Sequence, residues 1–331
     1  MTSPSSIVKR FQLEFQLTDI ATERGILDLK DKEMLENFDD LFIGNPIEIE
    51  KNLRGILPKA LLLENHSIYL QMLSQIALTQ AMQKNFDGAH ETLDAAEKLL
   101  TPLDYLARVR ILIERGRVLW RSGHDEVAIP LFQQSYELSQ MHGFDEHTCN
   151  AAHLVAIIIK DVKEKIKWNE LALALAECSK VPRGRAWLGS LYNNLGGAYV
   201  EAKQFEKALQ VFEKAMHFRE LEGVEPNIRV AKWQIARSLR CLNRHEESLR
   251  LLLDLKHQYE VLIETNMLDI PIEILSTARG LVYAELAEIY VERKDPQAKE
   301  VAKIAYADLS KDEWMQRLEP ARLARLKQLE E

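Results

Sequence analysis

Glycine and proline are scarce in this chain, 13 and 10 of 331 residues. An all-β protein needs them at its frequent turns and a collagen-like or low-complexity chain is dominated by them, so both classes are excluded and a helical one is favoured. Cysteine is scarcer still. Cys149, Cys178 and Cys241 are odd in number and far apart, so a disulfide framework cannot pair them all and a reducing compartment is the simpler setting. Long apolar runs are missing. The longest one free of charge, Leu154 to Ile159, is six residues, against the roughly 20 that cross a bilayer. Lys9, Arg10 and Glu14 interrupt the N-terminal stretch that a signal peptide would keep apolar, and the expected location is the cytoplasm. Nor is there a surplus of positive charge: 43 Lys and Arg against 51 Asp and Glu give a net charge of −8, which argues against a general nucleic-acid binder.

What the chain does hold is 47% hydrophobic and 28% charged residues, enough for a large core and a soluble surface. It also holds an internal repeat. The clearest unit, LYNNLGGAYVEAKQFEKALQVFEKAM, begins at Leu191. Tyr192, Leu195, Gly196 and Tyr199 fall at i, i+3, i+4 and i+7, one face of a first helix, and Phe205, Ala208, Leu209, Phe212 and Ala215 mark a second, with AKQ as the turn. Gly196 and Ala208 are small because two helices crossing closely leave no room for a larger side chain. The small residue of the second helix returns at Ala89, Ala128, Ser248 and Ala298. Steps of 39, 80, 40 and 50 residues describe a period near 40, with Trp168 a poor fit for the anchor that would halve the longest step.

These residues and spacings resemble the tetratricopeptide repeat, whose pattern asks for an aromatic, Leu-Gly, Tyr, then Ala, Phe and Ala in those places. The resemblance runs from about Ser67 to Leu309 and implies an all-α fold, a right-handed α-solenoid of stacked antiparallel helix pairs. The usual unit is about 34 residues; a period near 40 is similar to the extended members, here in a stand-alone protein. Segments Gly223 to Asn227 and Val181 to Arg185 carry the Gly and Pro that stop helices. The expected organisation is a partly disordered extension over 1–20 and a helical cap over 21–65, its stretches broken at Pro46 and Pro58. A solenoid of about six hairpins follows over 66–309, one of them degenerate around 145–180. A capping helix over 310–331 places Leu323, Leu326 and Leu329 on one side. Caps are expected because end repeats otherwise expose core.

Motifs for chemistry are weak. HGFDEHTCNAAH gathers His142, His147, Cys149 and His153, but on a helix only residues three or four apart share a face, so Cys149 and His153 converge without His147, and two ligands do not make a zinc site. There is no HExxH, CxxC, GxSxG, P-loop or GxGxxG, and the glycines of Leu195 to Gly197 occupy repeat positions. Carboxylate clusters such as Glu246-Glu247 and Glu285-Glu288 read as solvated helix faces. No enzyme, metal or cofactor is expected.

The charge distribution says more. Arg108 to Arg121 holds five Arg and one Glu, and Arg229 to Arg244 holds four Arg, one Lys and no acid, within a chain that is acidic overall. In a tetratricopeptide stack the first helices line the concave surface, and turning about 100° from the core stripe assigns residues to the groove. This gives Ile113, Arg117 and Trp120 with Arg121, then Asn193 and Gly197 with Asn194, then Trp233, Arg237 and Arg240, and His153 from the degenerate unit. Guanidinium forks suit carboxylates and phosphates, and indoles supply apolar or cation–π contact. The same arginines can instead pair with Glu on neighbouring helices, and the tryptophans can pack between repeats.

The carboxylate clamp that some tetratricopeptide domains carry is not present as such, since Gly197 and Ile113 stand where it needs polar residues. The Asn193-Asn194 pair is similar to extended repeats that hold a peptide's main chain through amides, which offer both donor and acceptor. The expected function is a non-catalytic interaction scaffold or adaptor that binds a peptide or protein segment, possibly acidic, in the groove. Arg117, Trp120, Arg121, His153, Asn193, Asn194, Trp233, Arg237 and Arg240 form that expected site, with no membrane and no nucleic acid as partner. An alternative is a homo-oligomeric structural or regulatory protein that self-associates through Trp314 and the C-terminal leucines; a remote one is an enzyme with an unrecognised site.

Overall fold

A computed structural model describes residues 33–35, 37–42, 44–62, 66–180, 185, 187–265 and 270–330. The expected N-terminal extension and most of the Val181 to Arg185 turn lie outside these residues. The described residues are all-α, without strand, and the chain divides into two compact units, Met1–Arg185 and Ala186–Glu331.

Among the described residues of the first unit, a short helical stretch over 33–35 precedes a single 3-10 turn, Phe38–Leu41, and helix α1, Pro46–Leu62. Three antiparallel hairpins follow: α2 (His66–Met82) with α3 (Phe86–Leu99), α4 (Tyr105–Arg121) with α5 (Asp125–Met141), and α6 (Asp145–Ile158) with α7 (Val162–Cys178). Leu35 and Phe38 join Ile49, Leu53, Ile56 and Ala60 of α1 over Met72 and Ile76 of α2. That cover explains why α2 is buried without interruption from Leu70 to Ala81. The helix is not broken at Pro58, which lies inside α1 as Pro130 lies inside α5. Both prolines are exposed, so the carbonyls that lose a helical partner face water.

The second unit holds three more hairpins: α8 (Leu188–Glu201) with α9 (Phe205–Glu222), α10 (Glu225–Cys241) with α11 (His245–Thr265), and α12 (Ile272–Glu292) with α13 (Ala298–Leu309). The C-terminal segment is two helices, α14 (Glu313–Leu318) and α15 (Pro320–Glu330), because Pro320 begins the second. Leu326 is buried, and Leu323 and Leu329 pack beside it on the core between α12 and α13.

The small anchors behave as the crossing geometry demands. Ala89, Ala128, Ala208 and Ser248 are fully enclosed, and Ser248 satisfies its hydroxyl on the Ala236 carbonyl oxygen at 2.7 Å. Ala298 is half-buried at the very start of α13, while Ala302 and Ala305 beyond it are enclosed. On the first helices Gly116 faces Phe132 and Gly196 faces Phe212. Between α9 and α10, Gly223 takes a left-handed conformation at φ 67° and Pro226 sits in the first turn of the next helix, a stop followed by a start.

Candidate functional site

Helix α4 has two buried stripes. Ala107, Ile111 and Val118 face the core under α2 and α3, whereas Val109 and Ile113 face the core that holds Phe132, Leu154 and Val155. A third stripe at i, i+4, i+7 and i+11 remains: Arg110, Glu114, Arg117 and Arg121. Ile113 belongs to the core, and Trp120 is half-buried against that same core. Arg117 and Arg121 therefore share one face, whereas Trp120 points toward the hairpin interior.

Arg110 is the most enclosed arginine of that stripe. Its Nη1 donates to Asp39 Oδ1 at 2.9 Å, its Nη2 bonds Asp39 Oδ2, its Nε donates to His147 Nε2 at 3.0 Å, and the Phe38 ring lies 5.0 Å away. Glu114 is buried and accepts from Arg117 Nη1 at 2.9 Å and from Gln75 Nε2 at 3.3 Å. Arg117 Nη2 then reaches Asn150 Oδ1 at 3.1 Å. Burial, reinforced by Arg110, lowers the pKa of His147 to about 4. Burial and then Arg117 do the same to His153. A neutral His147 is what the Arg110 bond requires, since its Nε2 must accept. Arg121 is exposed and makes no ion pair among the described residues.

The histidine and cysteine cluster does not converge. Cys149 is buried with Sγ 3.5 Å from the Ala172 carbonyl oxygen, His147 serves Arg110, and His142 stacks on Tyr105 at 3.8 Å. Among the described residues no group of three or more His, Cys, Asp or Glu could hold a metal ion.

In the second unit, the basic run from Arg229 to Arg244, along α10 and into the turn after it, sends its side chains in three directions. Arg229 is buried 5.8 Å from the Tyr259 ring, and Lys232 and Arg244 pair with Asp254 and Glu247 of α11, each at 2.7 Å. Arg237 and Arg240 turn instead to Glu285 of α12. Glu285 is no solvated carboxylate, as the charge pattern suggested, but 2% exposed. Burial raises its pKa, yet Arg240, Arg322 and Arg237 outweigh that and hold it below the ordinary carboxylate value. Trp233 donates Nε1–H to the Leu281 carbonyl oxygen at 3.2 Å and stands 5.6 Å from the Arg237 guanidinium. On α8, Asn193 and Asn194 are half-buried, and the Oδ1 of Asn193 is enclosed with no donor. Nothing lies within 4 Å of where a Cβ on Gly197 would stand.

Arg117 thus shares a face of α4 with Arg121 and stands near enough to His153 to act on it, and in the second unit Trp233 stands against Arg237, which shares Glu285 with Arg240. Arg110, Glu114 and Arg322 escaped the sequence reading, which weighed His147 only as a metal ligand and Glu285 only as a solvated carboxylate. For Arg110 and Glu114 a signal existed in the i, i+4, i+7 spacing to Arg117; for Arg322, which belongs to a different helix pair, none did. Trp314 is 54% exposed, with Arg317 over its ring at 4.9 Å. No described helix is long and apolar enough to cross a membrane.

Residues 188–222, which form α8 and α9, match the tetratricopeptide repeat family. No curated protein matches the chain significantly. Among solved structures, the apo form of RapI is similar at a TM-score of 0.63 and 13% identity, over 96% of this chain and 81% of that one. NprR in complex with its cognate peptide NprX gives 0.56 and 13%, over 91% and 81%. Aspartyl phosphate phosphatase F from Bacillus subtilis gives 0.53 and 13%, over 99% and 95%. The resemblance read from Tyr192 to Ala215 is real in sequence, and the fold is that of the tetratricopeptide-like helical solenoids.

Proposed function

We propose that this chain is a non-catalytic cytoplasmic interaction module that holds a peptide or protein segment, acidic in character, against the first-helix faces of its units. The observation that carries this reading is the placement of Arg117 with Arg121, and of Arg237 with Arg240, on first-helix faces of a tetratricopeptide-like stack. Partly exposed guanidinium groups beside indole and amide side chains suit carboxylates and peptide bonds. The fold it shares with NprR, a protein crystallised with a peptide, supports the same assignment. Free Cys149, Cys178 and Cys241 suit a reducing compartment.

Selection of a displayed random peptide library against the purified chain tests this. Enriched peptides are expected to bind about tenfold more weakly to Arg117→Ala/Arg121→Ala or to Arg237→Ala/Arg240→Ala, the loss of one charge-assisted contact. The reading fails when nothing is enriched, or when the enriched peptides bind both folded variants as they bind the parent.

A further inference from the structure

The large apolar side chains that the second unit leaves in water are not scattered. Of the eight among its described residues, five stand at the turns that join one hairpin to the next: Leu221 and Val224 between α9 and α10, Ile272 and Ile274 at the start of α12, and Trp314 at the start of α14. All five are 45–71% exposed. The opposite edge, made by the turns inside the hairpins, exposes Lys203, Asn243 and Lys294 instead, and no large apolar residue among those described. Single exposed apolar residues are ordinary, but a row of them on one edge marks an interaction surface.

Two sets of contacts make the row. Trp233 Nε1–H donates to the Leu281 carbonyl oxygen and Arg237 pairs with Glu285, so α10 and α12 lie side by side at an offset of 48 residues. Val224 and Ile272 keep the same offset and stand level on neighbouring helices. Asp312 ties the next step, its Oδ2 accepting from Thr277 Oγ1 at 3.0 Å and its Oδ1 from the Trp314 backbone N–H at 2.8 Å. Ile274 shares the Thr277 face of α12, one turn earlier, which brings it to the Trp314 side.

The charge along this edge is mostly of one sign. Glu220, Glu264, Glu273 and Glu313 are exposed and make no ion pair among the described residues. Two exposed cations stand beside them, Lys311 and Arg317, and the second lies over the Trp314 ring at 4.9 Å. Glu273 and Glu313 suit the first turns of their helices, but Glu220 and Glu264 occupy the last turns of α9 and α11, where the helix dipole disfavours a carboxylate. A cation from outside would relieve both.

We propose that the edge formed by Leu221, Val224, Ile272, Ile274 and Trp314 docks an amphipathic helix of a partner protein, apolar along one stripe and flanked by Lys or Arg. Packed helices stand about 8–10 Å apart, and a helix advances about 10.5 Å in seven residues, so one apolar residue in seven of the guest meets each turn in succession. Its flanking cations fall to the four unpaired acids. A second copy of this chain, or an anionic lipid surface, would set like charges against one another. The surface is independent of the peptide-binding reading, whose residues it does not use.

The test uses the full chain labelled with 15N at tryptophan, read at the Trp314 indole N–H, which its absence in Trp314→Phe identifies. Three capped peptides of about five helical turns serve as probes: a Leu–Lys helix with its leucines on one stripe, its Leu–Glu counterpart, and a scramble of the Leu–Lys composition. Saturable shifts are expected with the Leu–Lys helix, and binding about tenfold weaker or worse with the other two. Ile274→Asp is expected to lose about tenfold in affinity at unchanged circular dichroism, and Leu221→Asp carries the same test should the first variant fail to fold. Glu264→Gln/Glu273→Gln should weaken binding several-fold and flatten its salt dependence, whereas Arg237→Ala/Arg240→Ala should bind as the parent does. Equal affinity for the Lys and Glu helices, silence of Trp314 with all three probes, or parent-like binding by the folded Asp variants overturns the proposal. A concentration-dependent dimer abolished by Ile274→Asp would assign the edge to a second copy, and Trp314 shifts with phosphatidylserine vesicles would assign it to a membrane; either result overturns it too.

Discussion

Gly116 of α4 faces the ring of Phe132 of α5 so closely that a Cβ built on the glycine would stand 2.5 Å from Cε1. Phe132 is fully enclosed, so the ring cannot retreat without displacing its core neighbours. Two effects oppose each other in Gly116→Ala. Helix propensity favours alanine by about 1 kcal/mol, whereas overpacking a dense core costs about 1–3 kcal/mol. The variant is expected to lose up to about 2 kcal/mol of stability. Gly197→Ala meets nothing within 4 Å and is expected to gain up to about 1 kcal/mol. Urea unfolding of the two variants, followed by far-ultraviolet circular dichroism, should therefore move the midpoint in opposite directions. A Gly116 variant as stable as the parent would show that the hairpin crossing is looser than the ring contact implies.

Glu285→Gln keeps the shape of a buried side chain and removes its charge. Arg237 and Arg240 then lose their shared anion, and Arg322 keeps only Glu319. Removing one partner of a buried ion pair costs about 3–5 kcal/mol, and this carboxylate serves three. The second unit is expected to unfold at distinctly lower urea than the parent, with part of the loss recovered in Glu285→Gln/Arg322→Gln. A midpoint unchanged in the single variant would mean that the carboxylate is dispensable to the packing of α10, α12 and α15.

The repeat was legible in the sequence because its signal is steric and local. Gly116, Gly196 and the enclosed Ala89, Ala128, Ala208 and Ser248 must be small wherever two helices cross, and that requirement recurs at a constant offset. The inner stripe was less legible. Turning Ile113 toward the groove placed a core residue on the surface, because α4 has two buried stripes and the rotation was measured from only one of them. Ion pairing was not legible at all for Arg110 with Asp39 or for Glu285 with Arg322. These partners are 71 and 37 residues apart, and their meeting depends on how the terminal segments dock. No periodicity encodes that. Charge runs alone therefore overstated the free positive surface, since Arg110, Arg117 and Arg240 each have an acid partner.

Stability should fall as the first unit is acidified, for a reason confined to two histidines. His147 and His153 are held near pKa 4 in the folded state, against about 6.5 in an unfolded chain. Between those values the unfolded state binds more protons, so stability is complete above about pH 6.5 and declines as pH falls toward 4. Each histidine contributes a slope of about 1.4 kcal/mol per pH unit. Reading the unfolding free energy between pH 6.5 and 5 avoids most carboxylate titration. His147→Gln and His153→Gln are each expected to remove roughly half of the histidine slope, and a slope that survives the double variant would place its origin elsewhere.

Thiol reactivity gives an independent measure of the same packing. Cys178 is exposed, Cys241 half-buried and Cys149 buried. Burial, with Glu146 behind it, pushes the Cys149 thiol up to about 12, and burial likewise raises Cys241. The thiolate is the reacting species, so access and ionisation act in the same direction. With an aromatic disulfide reagent near pH 8, Cys178 is expected to react first, Cys241 more slowly, and Cys149 only when α6 separates from α7. The Cys149 rate should then rise with urea in proportion to the opening of the first unit, reporting its local stability. Labelling of Cys149 in the native chain as fast as Cys178 would contradict the enclosed contact between its Sγ and the Ala172 carbonyl oxygen. It would also weaken the case that His153, one turn along the same helix, is held neutral by burial.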